Sequence, residues 1–136
     1  MGSYSNYLEN ELLDHVFGGT DYSRPATLYL ALLTAAPDDT STGSTITEAT
    51  YTGYARKSIT NNDTNFPAAS GGAKSNGAEI AFAECTAGSS AITHWALVDA
   101  STGGNVICWG ALTTSKEIST GDTPRVAVGD LDITLD

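Results

Sequence analysis

Residues 92–114 constrain the possible fold more than any other part of the chain. They read Ile92-Thr93-His94-Trp95-Ala96-Leu97-Val98-Asp99, then Ala100-Ser101-Thr102-Gly103-Gly104-Asn105, then Val106-Ile107-Cys108-Trp109-Gly110-Ala111-Leu112-Thr113-Thr114. Two runs rich in β-branched and aromatic residues flank a short polar loop with a Gly-Gly pair, which predicts a β-hairpin. Both tryptophans of the chain, Trp95 and Trp109, lie on its arms. Those arms are too apolar to leave both faces wet. At least one face must be covered by another sheet or another subunit.

The remaining segments are suited to supply that cover. In residues 26–36, Leu28, Leu30 and Leu32 share one face while Tyr29, Ala31 and Leu33 share the other. Apolar residues on both faces predict a central strand. Residues 51–60 form a candidate strand around Tyr54-Ala55-Arg56-Lys57. Residues 78–84 alternate, with Ile80 and Phe82 on one side. Residues 125–128 form a short candidate strand. Leu131, Ile133 and Leu135 alternate with polar residues and are expected to face the core. Residues 40–50, rich in Thr, Ser and Gly, and residues 61–77, with Pro67 and Gly71-Gly72, read as surface loops. About seven or eight short strands at regular spacing predict an all-β chain: an antiparallel β-sandwich, jelly-roll or immunoglobulin-like. No helices lie between strands, so a parallel α/β sheet is disfavoured.

One N-terminal α-helix is expected over residues 4–17. Asn6 followed by Glu9 resembles a capping box, and Gly18-Gly19 ends the segment. Leu8, Leu12 and Val16 recur every fourth residue, with Leu13 and Phe17 beside them. So short an amphipathic helix is marginal alone and must dock, on its own β-domain or on a neighbouring subunit. The expected organisation is a docking helix at 1–19 and a single β-sandwich domain at 20–136.

Six basic residues against 16 acidic ones leave a net charge of −10 in 136 residues. So acidic a surface repels phosphate backbones and anionic bilayers, so neither a nucleic acid nor a membrane is an expected partner. No run approaches the ~20 apolar residues of a membrane helix. The opening Met1-Gly2-Ser3-Tyr4-Ser5-Asn6 lacks the basic and apolar regions of a signal peptide, which points to synthesis in a cytoplasm without Sec export. Cys85 and Cys108 lack metal spacing and read as small buried residues, although a bond between neighbouring strands stays open.

Chemistry is sparse. His15 sits near the helix end and His94 in a strand, with no His-x-x-x-His and no nucleophile motif beside either. Ser70-Gly71-Gly72-Ala73-Lys74-Ser75 has Ala73 where a phosphate loop needs glycine. The Asp38-Asp39 and Asp130/Asp132 pairs lack the EF-hand pattern. Trp95, Trp109, Tyr51 and Tyr54 are able to stack on sugars, but their large apolar area favours a core or a subunit interface. No enzyme and no cofactor are expected.

Several stretches resemble the small bacteriophage virion proteins usually labelled tail-fibre proteins. They are Leu12-Leu13-Asp14-His15-Val16-Phe17-Gly18-Gly19-Thr20, Pro25-Ala26-Thr27-Leu28-Tyr29-Leu30-Ala31-Leu32, Gly53-Tyr54-Ala55-Arg56, Thr93-His94-Trp95, residues 99–105, residues 110–116, and the closing Gly129-Asp130-Leu131-Asp132-Ile133-Thr134-Leu135. The resemblance implies a structural virion protein, made in the host bacterial cytoplasm. It implies partners among copies of itself and other virion proteins. The chain has neither repeats nor heptads, so a compact knob is expected rather than a shaft. Such a knob serves as a small exterior subunit, for capsid decoration or as a tail- or head-fibre component. The alternative is a host-receptor or carbohydrate-binding module using residues 38–50 and 61–77. Candidate contact residues are Tyr4, Leu8, Leu12, Val16, Phe17, His94, Trp95 and Trp109.

Overall fold

The computed structural model describes residues 2–135. Along them run β1 (Gly2–Tyr4), α1 (Asn6–Val16), β2 (Thr27–Leu33), β3 (Lys57–Thr60), β4 (Ala73–Ser75), β5 (Ile80–Ala81), β6 (Ser89–Val98), β7 (Val106–Ser119), β8 (Arg125–Val126) and β9 (Asp132–Thr134). β6 and β7 form the expected hairpin, with Trp95 opposite Gly110 and Ala96 opposite Trp109. Its turn is clamped because Asp99 accepts the Asn105 backbone N–H (2.7 Å) and side-chain amide (2.9 Å). This hairpin is the middle of a five-stranded antiparallel sheet ordered β1-β7-β6-β2-β3. Two antiparallel ribbons, β4-β9 and β5-β8, supply the smaller second layer. The chain is all-β in class, with 40% strand and 8% helix. The arrangement is sandwich-like, although its sheets do not close on one another.

Both faces of β2 are dry over Leu30–Leu33, as its two apolar rows predict, while Tyr29 is half-buried. Leu28, Leu30 and Leu32 join Ile59, Ile92, Trp95, Leu97 and Ile118 in the larger core, which Leu8, Phe66, Ile80, Phe82 and Leu131 close from the other side. Ala31 and Leu33 face the opposite way, with Ala96, Val98 and Val106, under Ile46 and Trp109. Gly110 is required where it stands. A Cβ there would lie 2.8 Å from the Trp95 indole, so the tryptophan packs flat across its partner strand.

Several segments depart from their sequence patterns. Residues 51–56 are irregular, because Tyr54 N–H bonds back to the Tyr51 carbonyl and Gly53 takes φ 103°, so the strand begins only at Lys57. The alternation at 78–84 gives two residues of ladder, Ile80 and Ala81, after which Phe82 and Cys85 bond to the carbonyls of Pro124 and Asp122. The segment 61–77 contains β4, paired to β9. β7 runs on to Ser119, past a wide bulge: His94 pairs with Ala111 and Ile92 with Lys116, so Thr93 alone faces residues 112–115. Of the closing alternation, Leu131 is buried, Ile133 half-buried and Leu135 exposed.

The helix cap lies one residue before the expected one, and the helix itself starts at Asn6. Ser5, not Asn6, is the N-cap: its Oγ accepts the Leu8 N–H at 3.2 Å. The same hydroxyl donates to the Val106 carbonyl, and the Ser5 N–H bonds to the Ile107 carbonyl at 3.1 Å. One buried serine thus caps α1 and fastens it to β7. Ser5→Ala should destabilise the fold by about 1–2 kcal/mol, since it removes a cap and leaves a buried carbonyl short of a donor. Asn6→Ala, at an exposed position, should cost under about 0.5 kcal/mol. Urea unfolding of the two variants measures the difference.

Candidate interaction surface

A repeat of four does not stay on one face of a helix with 3.6 residues per turn; each step drifts by about 40°. Leu8, Leu12 and Val16 follow that drift. Leu8 is buried at 8% exposure, Leu12 is half-buried against the same core, and Val16 is 63% exposed. Leu13 and Phe17 lie on the outward side with Val16, at 56% and 81% exposure. The helix therefore has a docked face and an outward apolar stripe in its last turn. Tyr4 is also half-buried against the core, opposite Cys108 in the β1–β7 ladder, and burial then Cys108 hold its hydroxyl above the ordinary range. His15 closes the helix end by accepting the Tyr22 N–H through Nδ1 at 3.1 Å.

The tryptophans point to opposite faces. Trp95 belongs to the larger core. Trp109 is half-buried over the smaller one; its Nε1 donates to Asp39 at 3.3 Å, and His94 lies against its ring at a centroid distance of 6.2 Å. Asp39 also accepts from the Ser3 hydroxyl at 2.7 Å and offers its carbonyl to the Asn6 N–H at 2.8 Å. It joins the starts of β1 and α1 to Trp109. Of the candidate contact residues, Val16, Phe17, His94 and Trp109 thus have surface to offer, while Leu8 and Trp95 are spent on the core.

A polar knot that sequence reasoning missed sits under the hairpin turn. The Arg56 guanidinium is 4% exposed and pairs twice with Glu48, Nε to Oε1 at 3.0 Å and Nη2 to Oε2 at 2.8 Å. Its remaining bonds go to the carbonyls of Ala100 and Gly103 (both 2.9 Å) and Gly43 (2.7 Å). Gly43 is needed for this approach, because a Cβ there would overlap the Gly103 carbonyl. Tyr54 donates to Glu48 at 2.7 Å and accepts the Leu32 N–H at 3.2 Å. Burial opposes ionisation of Glu48, yet the Arg56 and Tyr54 hydrogen bonds outweigh it and hold the carboxyl below its ordinary value. Burial first, then Glu48, push the Tyr54 hydroxyl far up. The one available signal was an arginine inside a pattern otherwise suited to a strand.

A cavity of ≈ 330 Å³ opens beside the knot, and its polar walls are largely engaged with one another. A second, of ≈ 200 Å³, lies between Lys57–Thr60 and Glu79–Ile80, with Asn65 and Asn76. Neither cavity is lined by histidine or cysteine. Asp38, one of the four candidate cation-ligating aspartates, spends its carboxylate on Thr40 and Ser41, whose hydrogen bonds hold it below its usual pKa. Among the described residues no three His, Cys, Asp or Glu side chains converge on a metal-sized site. Cys85 and Cys108 are free and buried; burial pushes the Cys108 thiol up to about 12, so near neutral pH it is a packed thiol rather than a nucleophile. Among the described residues no helix is long and apolar enough to cross a membrane.

Residues 3–134 match the family model described as Podophage GP4 fiber I protein gp80, and the chain belongs to that family. It is accordingly a phage fibre-type protein, a structural component of a virion that associates with other virion proteins. No curated protein matches the chain.

Glu48→Gln should destabilise the protein at pH 7 by about 3 kcal/mol, because it strips a buried arginine of its counterion. The sign with pH follows from a depressed carboxyl. Its contribution is fully present above the unfolded value of 4.5 and is lost as pH falls through the lower folded value. The stability gap between wild type and variant should therefore narrow below pH 4.5. Denaturant midpoints across that range test it.

Proposed function

We propose that this fibre-family member is a small exterior accessory subunit of the virion, decorating the head or forming part of a head or tail fibre. Protein–protein contacts hold it there, and no substrate is turned over. The observation that carries this is the last turn of α1: Leu13, Val16 and Phe17 stand exposed on a helix whose other face is already docked. Three exposed large apolar side chains within five positions of one helix mark an interaction site, whereas the other exposed ones, Val128 and Leu135, stand apart in the chain. His94 and Trp109 offer a second, flatter contact on the far face of the sheet. Tyr4, Leu8, Leu12 and Trp95 serve the contacts indirectly, by holding the helix and hairpin in place. Repetition of modest contacts over a symmetric particle gives avidity, and self-association into oligomers adds to it.

Substitution separates contact from fold better than deletion does. Removing residues 1–17 would also remove β1 and the buried Leu8. In Val16→Ser/Phe17→Ser the altered side chains are both exposed, so the melting temperature should stay within a few degrees of wild type. The copy number per purified virion, read by quantitative mass spectrometry, should fall at least about tenfold. Antibody against the folded subunit should label intact wild-type particles. Full incorporation of the double variant, or virions that carry no copies, would refute the proposal.

A further inference from the structure

Resting on that reading, we infer that the partner seated on the last turn of α1 is a different virion protein, one offering an apolar pocket rimmed by lysine or arginine, and not a second copy of this chain. The shape of the tip indicates a pocket. Phe17 is the C-cap residue and projects at 81% exposure, and the next two residues, Gly18 and Gly19, add no side chains to widen it. A lone projecting aromatic with apolar neighbours suits a concave, desolvated site.

The charge around the tip indicates the rim. Glu9, Glu11, Asp14 and Asp21 fall in the first 23 residues, where there is no lysine or arginine. Glu9 precedes Leu13 by one helical turn, and Asp14 adjoins it; both acids are exposed. The Asp21 side chain is 97% exposed, with its carboxylate 3.7 Å from His15 Nδ1. The next basic residue along the chain, Arg24, is turned to the Asn61 carbonyl at 2.9 Å. An apolar tip within an acidic collar is complementary to an apolar pocket within a basic rim. Two such tips brought together would set three exposed acids against three, on copies that each carry a net charge of −10. Like charges across an interface oppose that contact, so the tip selects against its own kind.

Purified full-length protein, fluorescently labelled and mixed with phage particles assembled without it, tests the inference. The wild-type association rate should fall about tenfold between roughly 0.05 M and 0.5 M NaCl, as for an electrostatically steered encounter. The triple variant Glu9→Gln/Asp14→Asn/Asp21→Asn, altered only at exposed side chains, should melt as wild type does. It should associate about tenfold more slowly at low salt and lose most of the salt dependence. Val16→Ser/Phe17→Ser should instead dissociate at least about tenfold faster. Salt-independent binding that the triple variant leaves unchanged would overturn the basic rim. Light scattering that shows an oligomer dissolved by Val16→Ser/Phe17→Ser would overturn it in favour of a second copy. Failure of the wild-type protein to bind particles would bring down the virion-subunit reading itself, a result distinct from either.

Discussion

The Arg56–Glu48 ion pair is the interaction on which the two-sided sheet depends. β2 is dry on both faces over Leu30–Leu33, and a chain with one helix and two short ribbons has enough regular structure to cover one of them. The other is covered by loop, and loop backbone has to find hydrogen-bond partners wherever it is buried. Arg56 provides them, holding the carbonyls of Gly43, Ala100 and Gly103 around a single planar charge. Breaking a buried pair of this kind costs roughly 3–5 kcal/mol. The exposed pair Arg125–Glu79 has the same chemistry and a comparable 3.1 Å distance but lies in solvent, where such pairs contribute ~0–1 kcal/mol. Burial, not the count of ion pairs, decides which of the two matters.

With β2 largely closed from within, the large apolar side chains left exposed among the described residues are Leu13, Val16, Phe17, Val128 and Leu135. Trp95 is spent on the core, and the indole of Trp109 is partly engaged by Asp39. The docked turns of α1 are knitted into the sheet through Ser5 and Leu8. What remains apolar and unspent on that helix is its last turn, carried outward by the mismatch between a four-residue repeat and a 3.6-residue turn. Membership of a phage fibre family gives such a surface its setting, since a virion component is surrounded by other chains.

The fold was legible where periodicity was strong. The β6–β7 hairpin, the two rows of β2, the single N-terminal helix and the antiparallel class all followed from spacing, and the family followed from scattered stretches such as Gly53-Tyr54-Ala55-Arg56. Legibility failed where polar tertiary bonds override local pattern. Tyr51 to Arg56 alternate like a strand but fold into a turn, because Tyr54 and Arg56 are drawn to Glu48. Ser5 caps the helix in place of Asn6 because its hydroxyl also meets β7, which no local rule contains. The stripe Leu8-Leu12-Val16 looked like one face because a repeat of four is close to, but not equal to, the helical period. Asp39, which binds Ser3 and Trp109 from a loop, carried no signal at all.

The chain's own core takes Leu8 and Trp95 and leaves Phe17 exposed for a neighbour. A reconstruction of the intact virion at side-chain resolution would show where each of these side chains lies. Phe17 should lie in van der Waals contact with a different protein chain, with Leu8 and Trp95 touching only their own domain. A Phe17 open to solvent in the assembled particle, with neighbours packed elsewhere, would contradict it.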